Sequence, residues 1–190
     1  MSARVLVAGV GNVFLGDDGF GVEVARRLLE PGAERLPAWV EVADIGIAGV
    51  HLAYELLEGY DLTILVDATP RGGAPGDVYV VEPAPAQVDP AAPLGARGSA
   101  RGLVPGSARG LVPGMDAHGM EPEAVLALVG VLGGTLGKVL VVGCEPAEVT
   151  ERMGLSARVA AAVDPAVGVV RELLEEFERA ELGATPGKGS

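Results

Sequence analysis

Four strand-length apolar runs, RVLVAGV (4–10), WVEVADI (39–45), LTILVDA (62–68) and KVLVVGCE (138–145), are separated by stretches of different periodicity. Between the first two, residues 18–29 carry Val22, Ala25, Leu28 and Leu29 at helical spacing and stop before Pro31. AGVHLAYELLEG (48–59) reads as a second helix closed by Gly59, and MEPEAVLALVGVLG (120–133) as a third. Residues 157–182 form a last helix, with an interruption expected at Pro165. A strand at GDVYVVEP (76–83) follows so short a connection that an antiparallel pairing is expected for it. Alternation of this kind leaves few folds, because right-handed crossovers lay successive helices on the two faces of a parallel sheet. The expected fold is α/β, three-layered, with a mostly parallel twisted sheet of about five strands and helices on both faces. Composition agrees: 49% of residues are hydrophobic but only 4% aromatic, which suits a Val-rich sheet under Ala/Leu helices better than a Tyr-rich sandwich.

At 190 residues the chain fits a single domain, expected over 1–182, with a frayed tail over 183–190. Residues 84–117 break the pattern with proline and glycine throughout, and SARGLVPG occurs in tandem at 99–106 and 107–114. Eight residues are too short a period for a solenoid, so this segment reads as an insertion, one that carries Arg101 and Arg109 toward a docking partner. The formal charge of −12, from 26 acidic and 14 basic residues, argues against nucleic acid and anionic lipid as partners. The first apolar run is too short for a signal sequence and no apolar stretch is long enough to span a bilayer, so a cytoplasmic protein, monomeric, is expected. Cys144 is the single cysteine, which excludes an internal disulfide and a cysteine-based zinc cluster.

In open α/β sheets ligands bind beyond the carboxyl ends of the strands. There the runs deliver Asp17 and Asp18, Asp44, Asp67, and Cys144 with Glu145. Each acid has a bland explanation: Asp17 or Asp18 as the cap of a helix, Asp44 as a turn former, Asp67 as a strand end before Pro70. Taken together, carboxylates converging on one edge repel and raise one another's pKa unless a cation or a proton sits among them. The stretch GVGNVF (9–14) tests the opposite idea, a phosphate site. A dinucleotide fingerprint needs a third glycine where Phe14 stands, and Asp17 and Asp18 would oppose a pyrophosphate, so the turn suits a cation. Of the two histidines, His51 reads as a surface or packing residue of the second helix. His118 follows Asp116 ahead of a helix, where an imidazole is either solvated or projects over the sheet edge as a ligand. Imidazole with two carboxylates suits a borderline divalent ion such as zinc or nickel. Cys144, after a Val-rich strand, reads as a buried structural cysteine rather than a nucleophile.

VLVAGVGNVFLGDDGFG, then DIGIAG (44–49), ILVDA (64–68), His118 ahead of a helix, and VVGCEP (141–146) before MGLS (153–156) together resemble the hydrogenase maturation endopeptidases, in order over roughly 1–175. The resemblance implies a phosphorylase/hydrolase-like fold and a protease that removes a short C-terminal extension from the large-subunit precursor of a [NiFe] hydrogenase after nickel insertion. It implies Asp18, Asp67 and His118 as metal-binding residues and Asp44 as a further catalytic-site acid; many relatives carry glutamate at the position of Asp18. With too few strong donors to retain a metal unaided, the site is expected to use nickel carried by the substrate as its recognition element, with no cofactor of its own. The alternatives are a non-catalytic nickel-dependent assembly checkpoint or chaperone, and a conventional zinc-dependent metallohydrolase.

Overall fold

The computed structural model describes residues 3–83 and 122–183, so the tandem repeat, His118 and the tail lie outside the described residues. Five strands form one sheet in the order β2-β1-β3-β5-β4, where β1 is Val5–Val10, β2 Val40–Gly46, β3 Leu62–Ala68, β4 Val78–Val81 and β5 Lys138–Cys144. β1 pairs in parallel with β2 (Val5 opposite Val40) and with β3 (Val5 opposite Leu62), and β3 in parallel with β5 (Leu62 opposite Lys138). β4 runs antiparallel to β5, with Val78 opposite Cys144. The short connection after β3 can only reverse the chain, as expected, but β4 is shorter than the 76–83 stretch. Asp77 serves the turn instead, its carboxylate accepting the Ala74 N–H at 2.8 Å.

The helices are α1 (Phe20–Leu29), α2 (Gly49–Leu56), α3 (Pro122–Val131), α4 (Ala157–Ala161) and α5 (Val163–Gly183). Strand side chains alternate between faces, which divides the core in two. Val5 and Val7 of β1 and Ile64 and Val66 of β3 meet Phe20 and Val24 of α1 and Ala166 and Val170 of α5. Leu6, Ala8 and Leu65 meet Leu52 and Leu56 of α2 and Val125 and Val129 of α3. Because both faces are covered, β1 and β3 are apolar without alternation. Each fully buried Val or Leu contributes about 1.5–3 kcal/mol.

The final helix does break, but not at Pro165. Ala162 closes α4, and α5 restarts at Val163, so Pro165 lies in the first turn of α5. A proline is harmless there, because the first-turn N–H groups have no intrahelical partner.

Candidate active site

The turn after β1 is shaped by close approach. Gly11 has φ +130°, and a Cβ there would lie 1.8 Å from the Asp18 carbonyl oxygen. Ten residues on, a Cβ at Gly21 would fall 2.0 Å from the Val66 carbonyl oxygen of β3 and 2.4 Å from that of Val10. Glycine at both positions lets a 3-10 turn, Gly16–Gly19, and the start of α1 settle onto the carboxyl ends of β1 and β3. Phe20, fully buried, pins that start; replacing such a ring by alanine costs about 3–5 kcal/mol.

Within this turn the two neighbouring aspartates part company. Neither caps the helix with its side chain, contrary to the simplest reading of an acid pair before α1. Asp17 points inward and is fully buried. Its carboxylate accepts the N–H groups of Ala147 (2.8 Å), Glu148 (3.0 Å) and Ser156 (2.6 Å), and the Ser156 hydroxyl (2.9 Å). Burial pushes its pKa up, but these donors together outweigh it and hold the carboxyl below its ordinary value. The 145–156 loop is thereby tied to the first turn. Gly16 N–H donates to the Arg152 carbonyl (2.8 Å) and Arg152 N–H to that of Phe14 (3.1 Å), while the Arg152 guanidinium pairs with Glu148.

Asp18 is half-buried, and its carboxylate turns back to accept the Asn12 N–H at 2.7 Å. The Asn12 side chain in turn accepts the Phe14 N–H at 2.9 Å, so the turn is ordered from within. Burial raises the Asp18 pKa, against the Asn12 hydrogen bond. An anion short of solvation gains from a nearby cation.

Asp67 is the next-to-last residue of β3 and lies opposite Gly143 of β5. It accepts a hydrogen bond from the Thr69 hydroxyl at 2.8 Å. Thr69 is held in its turn: its N–H donates to the Cys144 carbonyl (3.1 Å), and its own carbonyl accepts the Tyr79 hydroxyl (2.6 Å). Burial raises the Tyr79 pKa, so the phenol stays a donor. Glu145 accepts the N–H groups of Arg71 (2.7 Å) and Gly72 (3.2 Å), which lower its pKa against the effect of burial. An open crevice of about 770 Å³ lies beside this turn, lined by Arg71, Asp77, Tyr79, Val81 and Glu145.

Asp18 and Asp67 therefore stand at the carboxyl edge of neighbouring strands, Asp18 in the 3-10 turn that follows β1 and Asp67 near the end of β3. Asp44 sits one strand further out, in β2, where the Arg26 guanidinium of α1 engages it at 3.2 Å. Alternation places Asp44 with Val40 and Val42 on the α1 face, whereas Asp67 follows Leu65 on the face of α2 and α3. His118 lies outside the described residues, and among those described no cluster of three or more His, Cys, Asp and Glu side chains is arranged to hold a metal ion. His51 is exposed on α2. Cys144 is fully buried, and burial pushes its thiol up to about 11, so little nucleophilic thiolate forms near neutrality. Thr69 and Tyr79 escape sequence inspection, because a strand-end threonine and an edge-strand tyrosine are ordinary until the fold brings them together.

No protein-family model matches the chain. The hydrogenase expression/formation protein HupD of Rhodobacter capsulatus is 32% identical over 184 residues, covering 96% of this chain and 77% of that protein. Among solved structures, the hydrogenase maturating endopeptidase HybD from Escherichia coli superposes with a TM-score of 0.66 at 26% identity, over 92% of this chain and 94% of the other. The hydrogenase 2 maturation peptidase of a Thaumarchaeota archaeon does so with 0.61 at 31% identity, over 90% and 98%. With a relative 32% identical over nearly the whole chain and solved maturation peptidases sharing its fold, the chain belongs to the hydrogenase maturation endopeptidases.

Proposed function

We propose that this protease removes the C-terminal extension of a [NiFe] hydrogenase large-subunit precursor that already carries nickel. The observation that supports this reading is the pair Asp18 and Asp67, at the carboxyl ends of the adjacent strands β1 and β3 and each held by a hydrogen bond, in a site where the lone thiol is buried and raised. Nickel arrives as part of the substrate. Asp18 and Asp67, with His118, are the groups that grip it, and two carboxylates balance its two positive charges. The bound ion supplies a Lewis acid toward the scissile carbonyl or a water next to it. Asp44 is the further acid of the site in this reading, and Arg26 holds it in place.

The enzyme acts in the cytoplasm as a monomer, with one peptidase domain over 1–182 and the 84–117 segment as an insertion. No helix among the described residues is long and apolar enough to cross a membrane. Mass spectrometry of the precursor, incubated with this protein with and without nickel, tests the reading. Loss of the C-terminal extension only from the nickel-loaded form is expected. Equal cleavage of metal-free precursor removes nickel from the mechanism, and an intact nickel-loaded precursor removes the activity.

A further inference from the structure

Three strands contribute one row of residues at the carboxyl edge. Asp67 of β3 faces Gly143 of β5, and Gly143 faces Tyr79 of β4. Residues level with one another across a sheet share a face, so Asp67 and Tyr79 project to the same side with a glycine between them. That glycine is required: a Cβ at Gly143 would fall 2.2 Å from the Tyr79 ring. The ring lies across β5 through this gap, and its hydroxyl reaches the Thr69 carbonyl at 2.6 Å. The Arg71 guanidinium covers the ring at 5.3 Å from its centre. Thr69, so anchored and further tied by its N–H to the Cys144 carbonyl, aims its hydroxyl at the Asp67 carboxylate at 2.8 Å.

We infer that Thr69 is a positioning residue for the processing reaction, fixing the Asp67 carboxylate through its hydroxyl, and that Tyr79, passing over Gly143, fixes Thr69. The role given to Asp67 rests on the function proposed above; the brace itself rests on the contacts. A carboxylate on a strand end can rotate about two side-chain bonds, and a hydroxyl donor from two residues on favours the orientation that accepts it. Groups that orient a ligand in this way are worth roughly ten- to a hundredfold in metal affinity or activity.

The test compares Thr69→Val, which keeps the branched shape and both backbone hydrogen bonds of residue 69 but loses the donor, with Thr69→Ser, which retains the donor. Processing of nickel-loaded precursor is expected to slow about ten- to a hundredfold in Thr69→Val, and to recover in Thr69→Ser. Tyr79→Phe should lose less than Thr69→Val, and the double variant should be no worse than Thr69→Val alone, because Tyr79 acts through Thr69. A second readout needs no substrate: the Hα–Hβ couplings of Asp67, measured by NMR on the full chain, should report the same rotamer populations in the wild type and in Thr69→Ser, and shifted populations in Thr69→Val. Wild-type processing by Thr69→Val, a Thr69→Ser as slow as Thr69→Val, or an unchanged Asp67 rotamer in Thr69→Val overturns the inference. If the wild type itself leaves the precursor whole, the proposed function fails, and the rotamer measurement still decides the brace.

Discussion

The turn after β1 and the turn after β3 each bring carboxylates to the same sheet edge, but they use them differently. After β1 two consecutive aspartates divide the work: Asp17 is sunk among donors from the 145–156 loop, and Asp18, one residue on, faces the rim with a single backbone N–H. After β3 the division runs between distant positions. Glu145, from the end of β5, takes the structural part by gathering the N–H groups of residues 71 and 72, while Asp67 faces the rim with a hydroxyl donor. The comparison teaches that adjacency in sequence says little about role. Asp17 and Glu145 each gather several N–H groups from a distant loop, whereas the Asp18 carboxylate takes the N–H of Asn12, six residues before it.

The strongest way to break this comparison is at Asp17. Asp17→Ala takes the shared acceptor from three N–H groups and a hydroxyl and should cost on the order of 3 kcal/mol, read as a lower urea midpoint at unchanged slope. Asp18→Asn keeps an oxygen for the Asn12 N–H and should unfold within about 1 kcal/mol of the wild type. It should nevertheless slow processing about a hundredfold or more, as should Asp67→Asn. An Asp18→Asn as unstable as Asp17→Ala would erase the distinction.

Acid sharpens the contrast next. Because the amides of Arg71 and Gly72 hold the Glu145 pKa below its ordinary 4.5, Glu145 binds protons more readily in the unfolded chain. Its stabilising contribution is then complete above that pH and declines as the pH falls through the lower folded value. Glu145→Gln should flatten the pH dependence of stability in that window, measured by thermal unfolding from pH 6 downward. The smallest effect is expected at Arg26→Ala: its pair with Asp44 is partly exposed, so stability should change by about 1 kcal/mol or less. Processing by Asp44→Asn, compared with Arg26→Ala, tells whether the pair matters beyond that.

Sequence periodicity reads the sheet well, because β1, β3 and β5 are buried on both faces and so are unmistakably apolar. Even the reversed direction of β4 follows from a short connection. The misplaced helix break has a simple cause: proline disrupts a helix interior, and whether a given proline is interior depends on where the helix starts, which Ala162 decides. The acids at the strand ends were legible as a set. Their division was not, since Asp17 and Asp18 differ only in which side of a 3-10 turn each leaves, and Asp17 finds its donors some 130 residues away. The Arg26–Asp44 pair and the Tyr79–Thr69–Asp67 row are equally invisible before folding, because each joins separate elements.

The missing side chains at Gly11 and Gly21 carry a lesson for protein engineering. In nucleotide-binding turns such clearance admits a phosphate; here it is already filled by polypeptide, a helix start pressed against two strand carbonyls. A methyl group added at position 21 would meet the Val66 and Val10 carbonyl oxygens, wedge the helix start off the sheet and carry Asp18 with it. Attempts to redesign this protease by altering its rim should therefore start from the gaps beneath it, whose widths set the spacing of everything above.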